Sequence, residues 1–528
     1  MTGTSDRVIV VGGGLAGLAA AVECASLGRS VTLIEKNDHL GGKMNVLSEK
    51  GFHFDMGPTI ITLPQVLRGI IRRAGRRVED YITLVNLDPQ WRCFYEDKTV
   101  IDLRLDSKTM AAQLDGQFPG KGAGAGYLAF VEFSRRMMRL SGKVFFYQDL
   151  GSVWDMVKSP PKESGVMRDA LSMRMHSTVA GTIHKMVPEP HVRQMCEHFL
   201  QYVGSSPFLA PAILSLIAAA QVDHGCWYPM GGTRMVAKTL VRLAEELGVE
   251  RITGHAVKRI NSNGERASGV TLDDGRVIEA DAVISNCDVQ RTNRDLLGSD
   301  AGRAEQAKIA SQYTPACSGL VLYLGLDRQY DHLAHHNFLF SSDSTREFDD
   351  IYGRGKPAKD CSIYLAAPSR TDPNQAPAGC EAFYALIHTP YLRPGERWEG
   401  PGGILETYRP VVIEKLKRFG MEDIEKHIVV DRFLTPEGIE RMYNAEGGAI
   451  YGLASHGKLA GGFKPRNRSR VLKGLYLAGG SANPGPGVPM VLMSGVTAAR
   501  SCCEDAGVEV GPIEMGSGIE EPVTGASR

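Results

Sequence analysis

The stretch VIVVGGGLAGLAAAVECASLGRSVTLIEKNDHLGGKM, residues 8–44, constrains the fold more than any other part of the chain. An apolar strand leads into glycines at positions 12, 14 and 17, and an alanine-rich helix follows. The first glycine allows a tight turn, the second lets a pyrophosphate approach the backbone, and the third lets the helix pack on the strand. A second strand ends at Glu35, about 20 residues on, where a carboxylate can bind a ribose. These features in register predict a Rossmann-type dinucleotide-binding unit.

The residue types after the second strand indicate which dinucleotide is bound. An acid at position 35 rather than a base favours an unphosphorylated ribose, as in FAD or NAD. A glycine pair follows in Leu40-Gly41-Gly42-Lys43, and ordinary NAD dehydrogenases have no such loop there, so we expect FAD. The expected contacts of this unit are Gly12, Gly14, Leu15, Ala16, Gly17, Glu35, Lys36, Gly41, Gly42 and Lys43.

Composition excludes several classes of protein. The 528 residues suffice for a cofactor domain and a substrate domain. Lys and Arg total 60 and Asp and Glu total 60, so no global charge favours nucleic acid. The ten cysteines are scattered without a C-x-x-C pair, which predicts neither a metal site nor a disulfide framework and fits a cytoplasmic setting. The N-terminus lacks the pattern of a signal peptide, and the longest apolar run, residues 208–222, is too short to span a membrane.

Two basic segments suggest peripheral contact with a membrane. Residues 65–77 place Leu67, Ile70 and Ile71 on one helical face beside five arginines. Residues 127–146 repeat the pattern with Phe130 and Met137 among the apolar positions. Such helices can lie on an anionic membrane surface, and the alternative is a solvated face on a packed helix.

Strand patterns in the middle of the chain predict a second domain. Residues 88–106 read as two strands about a turn at residues 96–98, and further strand-like runs occupy 320–324, 362–366, 383–388 and 427–433. Their spacing does not suit βαβ units, so we expect an antiparallel sheet. Eight methionines from Met137 to Met195 suit either a cavity for a long apolar molecule or ordinary core filling.

Three later segments return to the cofactor. GFHFDMGPT, residues 51–59, contributes Gly57, Pro58 and Thr59. WYPMGG, residues 227–232, precedes a helix and a strand series that reaches Asn286, with Val257 expected near the adenine. In GLYLAGGSANPGPGVPM, residues 474–490, a strand meets a glycine loop before Pro489 opens an apolar helix, whose positive end can face a flavin ring. The expected contacts there are Gly479, Gly480, Val488, Pro489 and Met490.

Taken together, GGGLAG, LGGKM, FDMGPT, YPMGG, FKPRNRS and LYLAGGSANPGPGVPM resemble the bacterial carotenoid desaturase family of the phytoene desaturase type. That family belongs to the amine oxidase-like flavoproteins, and the motifs recur in its order from residue 8 to about 500. The resemblance implies a glutathione reductase-like FAD-binding domain of the Rossmann type, interleaved with an α+β substrate domain on an antiparallel sheet. We assign residues 1–65, 226–310 and 445–507 to the first and 66–225 and 311–444 to the second, which also associates with the membrane; 508–528 form a flexible tail.

The resemblance implies desaturation of a long apolar isoprenoid by hydride transfer to FAD. Ser481, Ala482 and Asn483 depart from the Thr-His that the family commonly has, and the following residues look more like relatives that act late or oxidise terminal methyl groups. Asp155 occupies a place where the family often has an acid, so the resemblance makes it the candidate catalytic residue. In an apolar cavity its pKa would be raised and it could take up the proton, and the alternative is a surface salt bridge. We expect the adjacent His335 and His336 to be structural or surface residues.

Two other functions stay open. A flavin amine oxidase shares the N-terminal motif but is expected to have an aromatic cage, and Tyr476 is the one aromatic residue of the C-terminal motif. A non-catalytic prenyl-lipid escort would have no reason to keep both halves of the glycine set. We expect an enzyme that uses oxygen or a membrane quinone as electron acceptor, binds no nucleic acid and lies on the cytoplasmic face of the membrane.

Overall fold

The computed structural model describes residues 7–152, 155, 177–457 and 461–513. The fold is mixed α/β, as the sequence predicts, with one parallel sheet and a larger sheet that is mainly antiparallel. The strands are β1 Arg7–Val11, β2 Ser30–Glu35, β3 Val46–Glu49, β4 Phe52–Asp55, β5 Leu84–Asn86, β6 Trp91–Phe94, β7 Val100–Leu103, β8 Trp227–Pro229, β9 Glu250–Thr253, β10 Val257–Ser262, β11 Ala267–Leu272, β12 Val277–Glu279, β13 Ala282–Ser285, β14 Ser318–Leu326, β15 His336–Leu339, β16 Ile363–Ala366, β17 Glu381–Thr389, β18 Ile428–Leu434 and β19 Leu475–Leu477. The longer α-helices are α1 Leu15–Ser26, α2 Gln65–Arg73, α3 Ser107–Gln117, α4 Ala123–Val144, α5 Val179–Met186, α6 Pro190–His198, α7 Leu216–Val222, α8 Arg234–Glu246, α9 Asp300–Gln312, α10 Ile404–Arg418, α11 Pro436–Tyr443 and α12 Val488–Asp505.

The parallel sheet has five strands in the order β19-β13-β1-β2-β9. Each neighbouring pair is parallel, and β1 and β2 are buried except at their first residues. Burial on both faces is what continuous apolar runs produce in parallel sheets. Because the carboxyl ends of parallel strands meet at one edge, the loops after β1, β2, β13 and β19 gather there. A smaller antiparallel sheet, β10-β11-β12, occupies the predicted strand series before β13.

The larger sheet has seven strands in the order β18-β14-β17-β16-β15-β6-β7. Every strand-like run predicted for the second domain lies in it, including the hairpin β6-β7 with Lys98 in its turn at a φ of 69°. One pairing differs from the antiparallel expectation, because β15 runs parallel to β6. These two strands are far apart in sequence, so no hairpin turn dictates their direction. The assignment of the two sheets to separate domains stays a prediction.

Helices α1 and α12 pack closely beneath the parallel sheet. A Cβ built on Gly495 would lie 2.1 Å from the carbonyl oxygen of Ala16, so the two backbones touch at this point. Helix α1 follows β1, and helix α12 follows β19 after a glycine-rich loop. Their contact therefore joins the first and the last of the glycine-rich loops.

The two basic helices do not present apolar faces to solvent. In α2, Ile70 and Ile71 are completely buried in the core that includes α1 and α12. In α4, Phe130 packs into the core beneath the large sheet, and Met137 packs against Phe133 and neighbouring residues. The prediction that these faces lie on a membrane is therefore wrong, because they complete the interior. Among the described helices, none has the length and hydropathy needed to cross a bilayer, and membrane association stays a prediction.

Two further expectations concern the methionines and the tail. Met137 and Met195 are completely buried in packed clusters and, like Met138 and Met186, do not line the cavity described below. For these four residues core filling is the correct alternative; Met156, Met167, Met173 and Met175 lie outside the described residues. In the expected tail, Val508, Val510 and Ile513 pack against the core, and the residues from 514 onward lie outside the described part.

Candidate active site

The loop after β1 has the backbone geometry that its glycines require. Gly12 adopts a φ of 96°, a region that residues with side chains rarely occupy. A Cβ on Gly17 would lie 2.0 Å from the carbonyl oxygen of Gly12, so only glycine lets the helix start this close to the strand. Gly17 therefore supports the turn without lining the cavity, which corrects its expected role as a direct contact.

Glu35 stands at the end of β2, beside the same turn. Its Oε2 accepts a hydrogen bond from the backbone N–H of Gly13 at 2.7 Å, and its Oε1 accepts one from the N–H of Asn37 at 2.9 Å. The residue lines the cavity and is 7 % exposed. Each carboxylate oxygen can accept a further bond, so the side chain is fixed in place and still able to bind ribose hydroxyls.

The second glycine loop lies against the first. Gly14 and Gly41 form a parallel bridge, and the N–H of Gly41 donates to the carbonyl of Gly13 at 2.8 Å. Lys43 Nζ donates to the carbonyl oxygens of Ala449 and Ile450, at 3.3 and 2.6 Å. Burial lowers the pKa of Lys43 to about 8. This lysine therefore ties the second loop to a segment that also lines the cavity.

The third and fourth cofactor segments complete the cleft. A Cβ on Gly57 would lie 2.0 Å from the carbonyl oxygen of Lys43, which packs the third segment on the second. Gly487 precedes α12 with a φ of 103°, and Pro489 occupies the first turn of that helix, as predicted. Except for Gly17, every residue predicted to contact the cofactor lines one cavity of about 530 Å³, including Val257 in β10.

Sequence reasoning missed Asn286, which follows β13. Its Nδ2 donates to the carbonyl oxygen of Gly12 at 3.4 Å and lies 2.7 Å from where a Cβ on Gly14 would be. It also lies near Gly479, so one side chain touches the loops after both β1 and β19. Its position in the sequence could have identified it, because a polar residue directly after a buried parallel strand lies at the carboxyl edge of the sheet, where ligands bind.

These residues fit a dinucleotide. The cleft is lined by glycine backbones where side chains would collide, by a fixed carboxylate at the end of β2, and by the N-terminus of α12 at the opposite end. Backbone N–H groups and a helix N-terminus suit phosphates and developing negative charge. Contact of the predicted residues with FAD stays a prediction.

The same cavity continues into an apolar region between the loops and the large sheet. Its side chains come mainly from the residues just after α4, from residues 198–217 and from the sheet. The apolar members are Phe145, Phe146, Ile213, Leu214, Leu216, Ile217, Val321, Phe338, Leu386, Leu434 and Ile439. The polar members are His198, Gln201, Tyr202, Tyr364, Tyr384, His388, Tyr443 and Tyr451.

Charge is confined to the cleft end of the cavity. Among the described lining residues the charged side chains are Glu35, Lys36, Lys43, Asp288, Arg291 and Asp295, all from segments of the predicted FAD-binding domain. Burial lowers the pKa of His198 to about 3 and that of His388 to about 4, so both imidazoles are neutral at physiological pH. Burial also raises the pKa of Tyr364. The apolar region is therefore uncharged throughout its described lining.

Asp155 does not take part in this cavity. Its Oδ2 accepts hydrogen bonds from the N–H of Gly151 and the hydroxyl of Ser152, both at 3.0 Å. Burial raises the pKa of this carboxyl, but the two hydrogen bonds and nearby arginines outweigh it, and the pKa lies below its usual value. The expected raised pKa is wrong, because local donors solvate the charged form. His335 and His336 are both buried, so the surface alternative for them is also wrong.

Known proteins share the chain's sequence and fold. The sequence is 39% identical over 491 residues to a 4,4'-diapolycopene oxygenase of a Methylomonas species, covering 93% of this chain and 97% of that protein. It is 36% identical to a 4,4'-diaponeurosporene oxygenase of Staphylococcus haemolyticus, covering 93% and 96%. Among solved structures, an oxidoreductase from Methanosarcina mazei aligns with a TM-score of 0.60 at 18% identity, over 94% of this chain and all of that one.

The M. mazei likeness shows the fold alone, whereas the two oxygenases are full-length relatives. The sequence pattern of flavin-containing amine oxidoreductases matches residues 15–503, a range that runs from α1 to the end of α12. Both halves of the glycine set described above lie within or beside that range. The chain therefore belongs to the flavin-containing amine oxidoreductase family, and FAD is its cofactor.

Proposed function

We propose that the protein oxidises the end of a long acyclic carotenoid, with FAD held by the loops after β1, β2, β13 and β19. The observation that carries this proposal is the uncharged apolar region that opens directly from the cofactor cleft. A hydrocarbon needs burial against apolar side chains, and any charge beside it would be left without solvent. The names of the two full-length relatives, both oxygenases of linear carotenoids, support the same substrate class.

The protein's own residues have three tasks in such a reaction. Bound FAD would supply a two-electron acceptor for a hydride removed from the terminal carbon, and a water molecule at the site would add its hydroxyl to that carbon and release a proton. The aromatic and aliphatic lining excludes bulk solvent and aligns the chain, which suits a substrate that has no polar handle along its length. The N-terminus of α12, entered through Gly487 and Pro489, offers unpaired N–H groups toward the cleft and favours negative charge there.

The distribution of charge argues against an amine substrate. An ammonium group entering an apolar region needs a counter-charge to replace its hydration. Among the described lining residues, the carboxylates lie in the cofactor segments. Tyr476, the aromatic residue of the C-terminal motif, does not line the cavity but donates to Asp505 at 2.8 Å. The complete dinucleotide cleft likewise argues against a non-catalytic escort, which would need no cofactor.

Desaturation is the second candidate, favoured by the resemblance of FDMGPT and FKPRNRS to phytoene desaturases. It would remove a hydride and a proton from neighbouring carbons in the same apolar region. For either reaction we propose oxygen or a membrane quinone as the final electron acceptor and a site of action on the cytoplasmic membrane surface.

Pigment analysis in a carotenoid-producing host separates these functions. The gene is expressed in cells that accumulate a fully conjugated acyclic C30 carotenoid, and in parallel cells that accumulate colourless phytoene. We expect oxygen-containing products from the first host, identified by mass spectrometry of the extracted pigment. Loss of hydrogen without gain of oxygen, in either host, would identify a desaturase and contradict the proposal. A Gly17→Ala variant, which should not hold FAD, serves as the inactive control.

A further inference from the structure

Two polar side chains share one wall of the apolar region. His198 ends α6, and the chain continues directly into a 3₁₀-helix, Phe199–Val203, that contains Gln201. With three residues per turn, side chains three positions apart lie on the same face. Both residues line the cavity. His198 is 6 % exposed and Gln201 is 3 % exposed, so both are almost fully removed from bulk solvent.

Neither side chain has its hydrogen-bonding needs met by the described part of the protein. Oε1 of Gln201 is buried without a hydrogen-bond partner among the described residues. The His198 ring lies against the rings of Trp91, Phe338 and Phe340, and its nitrogens form no hydrogen bond within the same part of the chain. The neighbouring Tyr202 is different, because its hydroxyl accepts from Trp91 Nε1 at 2.8 Å and donates to Gln221 at 2.6 Å. Buried polar groups are nearly always bonded, since an unpaired one destabilises the fold.

The wall lies next to the cofactor loops. A Cβ on Gly487, which leads into α12, would be 3.9 Å from the carbonyl oxygen of Tyr202. A Cβ on Gly204 would contact the ring of Tyr451, whose neighbour Gly452 approaches the backbone of Ser481. The segment that carries the unpaired groups therefore lies next to the loop after β19 and the start of α12.

We propose that His198 and Gln201 form a subsite for an uncharged oxygen function, a hydroxyl or a carbonyl, at the end of the isoprenoid chain. This inference rests on the proposed oxidation of a chain end. A neutral imidazole has one N–H donor and one acceptor nitrogen, and the amide of Gln201 provides both kinds of group. Together they can bind either an alcohol or an aldehyde, so the subsite would keep a partly oxidised substrate at the reacting position.

The same lining disfavours a carboxylate. The positively charged residues of the cavity lining, Lys36, Lys43 and Arg291, belong to the cofactor segments. Among the described residues of the apolar region, none is positively charged. The low pKa of His198 keeps its ring uncharged. A carboxylate placed there would lose its hydration without gaining a counter-charge. The subsite should therefore distinguish an alcohol both from the parent hydrocarbon and from the acid.

Binding of three matched probes tests this subsite. The purified, FAD-loaded protein is titrated with an acyclic C30 polyene, its terminal alcohol and its terminal carboxylic acid, and perturbation of flavin absorption reports binding. We expect the alcohol to bind about tenfold more tightly than the hydrocarbon, and the acid more weakly than the alcohol. Equal binding of alcohol and hydrocarbon by the wild-type protein would overturn the inference without need of a variant.

Substitutions assign the effect to the two residues. His198→Phe keeps the ring contacts with Phe338 and Phe340, and Gln201→Leu keeps similar volume. In each variant the affinity of the alcohol relative to that of the hydrocarbon should fall from about tenfold to nearly one. The matched controls are His335→Phe and Gln90→Leu, which replace buried residues outside the cavity. Persistence of the alcohol preference in both subsite variants would contradict the assignment.

The outcomes for this subsite and for the proposed function are separable. If none of the three probes perturbs the flavin and the expressing cells show no oxidised pigment, the proposed function fails. If the hydrocarbon binds and is oxidised but the alcohol has no advantage, the proposed function stands and the subsite is refuted.

Discussion

The hydroxyl oxygen of Tyr364 lies 2.5 Å from Oγ1 of Thr59, a residue 305 positions earlier in the chain. The same hydroxyl lies 2.8 Å from Nδ1 of His336 on the neighbouring strand. Thr59 belongs to the third cofactor segment, and Tyr364 belongs to β16 in the large sheet. The buried hydrogen bond between Thr59 and Tyr364 therefore links the cofactor cleft to the wall of the substrate region.

Tyr364→Phe should weaken that link while keeping the ring. It leaves the Thr59 hydroxyl and the His336 nitrogen without a partner, so we expect the free energy of unfolding to fall by about 1–3 kcal/mol. Urea unfolding of the FAD-loaded protein measures the change. The control is Tyr443→Phe, because Tyr443 also lines the cavity but its hydroxyl has no partner among the described residues. Equal destabilisation by both substitutions would show that the hydrogen bond is not the cause.

Gly17→Ala should abolish FAD binding. The added methyl would lie 2.0 Å from the carbonyl oxygen of Gly12, and this colliding atom belongs to the backbone, so it cannot move away as a flexible side chain could. We expect purified protein with less than about a tenth of the wild-type flavin content, read from the ratio of flavin to protein absorption. Gly116→Ala is the control, since nothing lies within 4 Å of a Cβ at that helical position. Full flavin content in Gly17→Ala would refute the steric argument.

Lys464 should make stability depend on pH. It is 2 % exposed, its Nζ donates to the carbonyls of Leu453 and Ala454, and burial lowers its pKa to about 7. In the unfolded chain the Lys464 ammonium keeps its proton up to about pH 10.4. Below pH 7 the folded protein has to bury the charged ammonium, so the destabilisation caused by this burial is fully present there. As pH rises above 7 the folded protein loses the proton first, and the stability of the wild type should increase relative to Lys464→Met.

The expected increase is about 3 kcal/mol between pH 7 and pH 9.5, at about 1.4 kcal/mol per pH unit. Urea midpoints of the wild type and Lys464→Met, measured across that range, give the difference directly. The unpartnered carbonyls left by methionine lower stability by the same amount at every pH, so they do not change the slope. A difference that is constant with pH would contradict the lowered pKa of Lys464.

The sequence predicted the parallel sheet and its cofactor loops because glycine spacing and buried apolar runs are local signals. The strand, helix and second strand predicted for residues 8–44 are β1, α1 and β2, and Glu35 ends its strand as predicted. The apolar faces of α2 and α4 were misassigned, because helical periodicity shows that a face is apolar but not what covers it. Asp155 was misjudged for a related reason: its pKa depends on donors from Gly151 and Ser152 that only the folded turn brings to it.

The substrate region was harder to predict than the cofactor cleft. Its lining combines the residues just after α4, the segment around His198 and several strands of the large sheet, whose contacts join residues hundreds of positions apart. No short sequence motif can therefore predict which residues form this lining. The partner of Tyr364 on the cofactor side, Thr59, was expected at the cofactor, but the bond between them appears only when both sheets are in place.

The contact between Ala16 and Gly495 has a consequence for biosynthesis. Ala16 precedes Gly495 by 479 positions, so its helix leaves the ribosome long before Val488–Asp505 does. The loops after β1 and β2 can fold while translation continues, but the part of the cofactor cleft formed by the loop after β19 and by α12 does not yet exist. Stable capture of the flavin therefore has to wait until translation has passed that helix, and a truncation before residue 488 would yield a colourless chain.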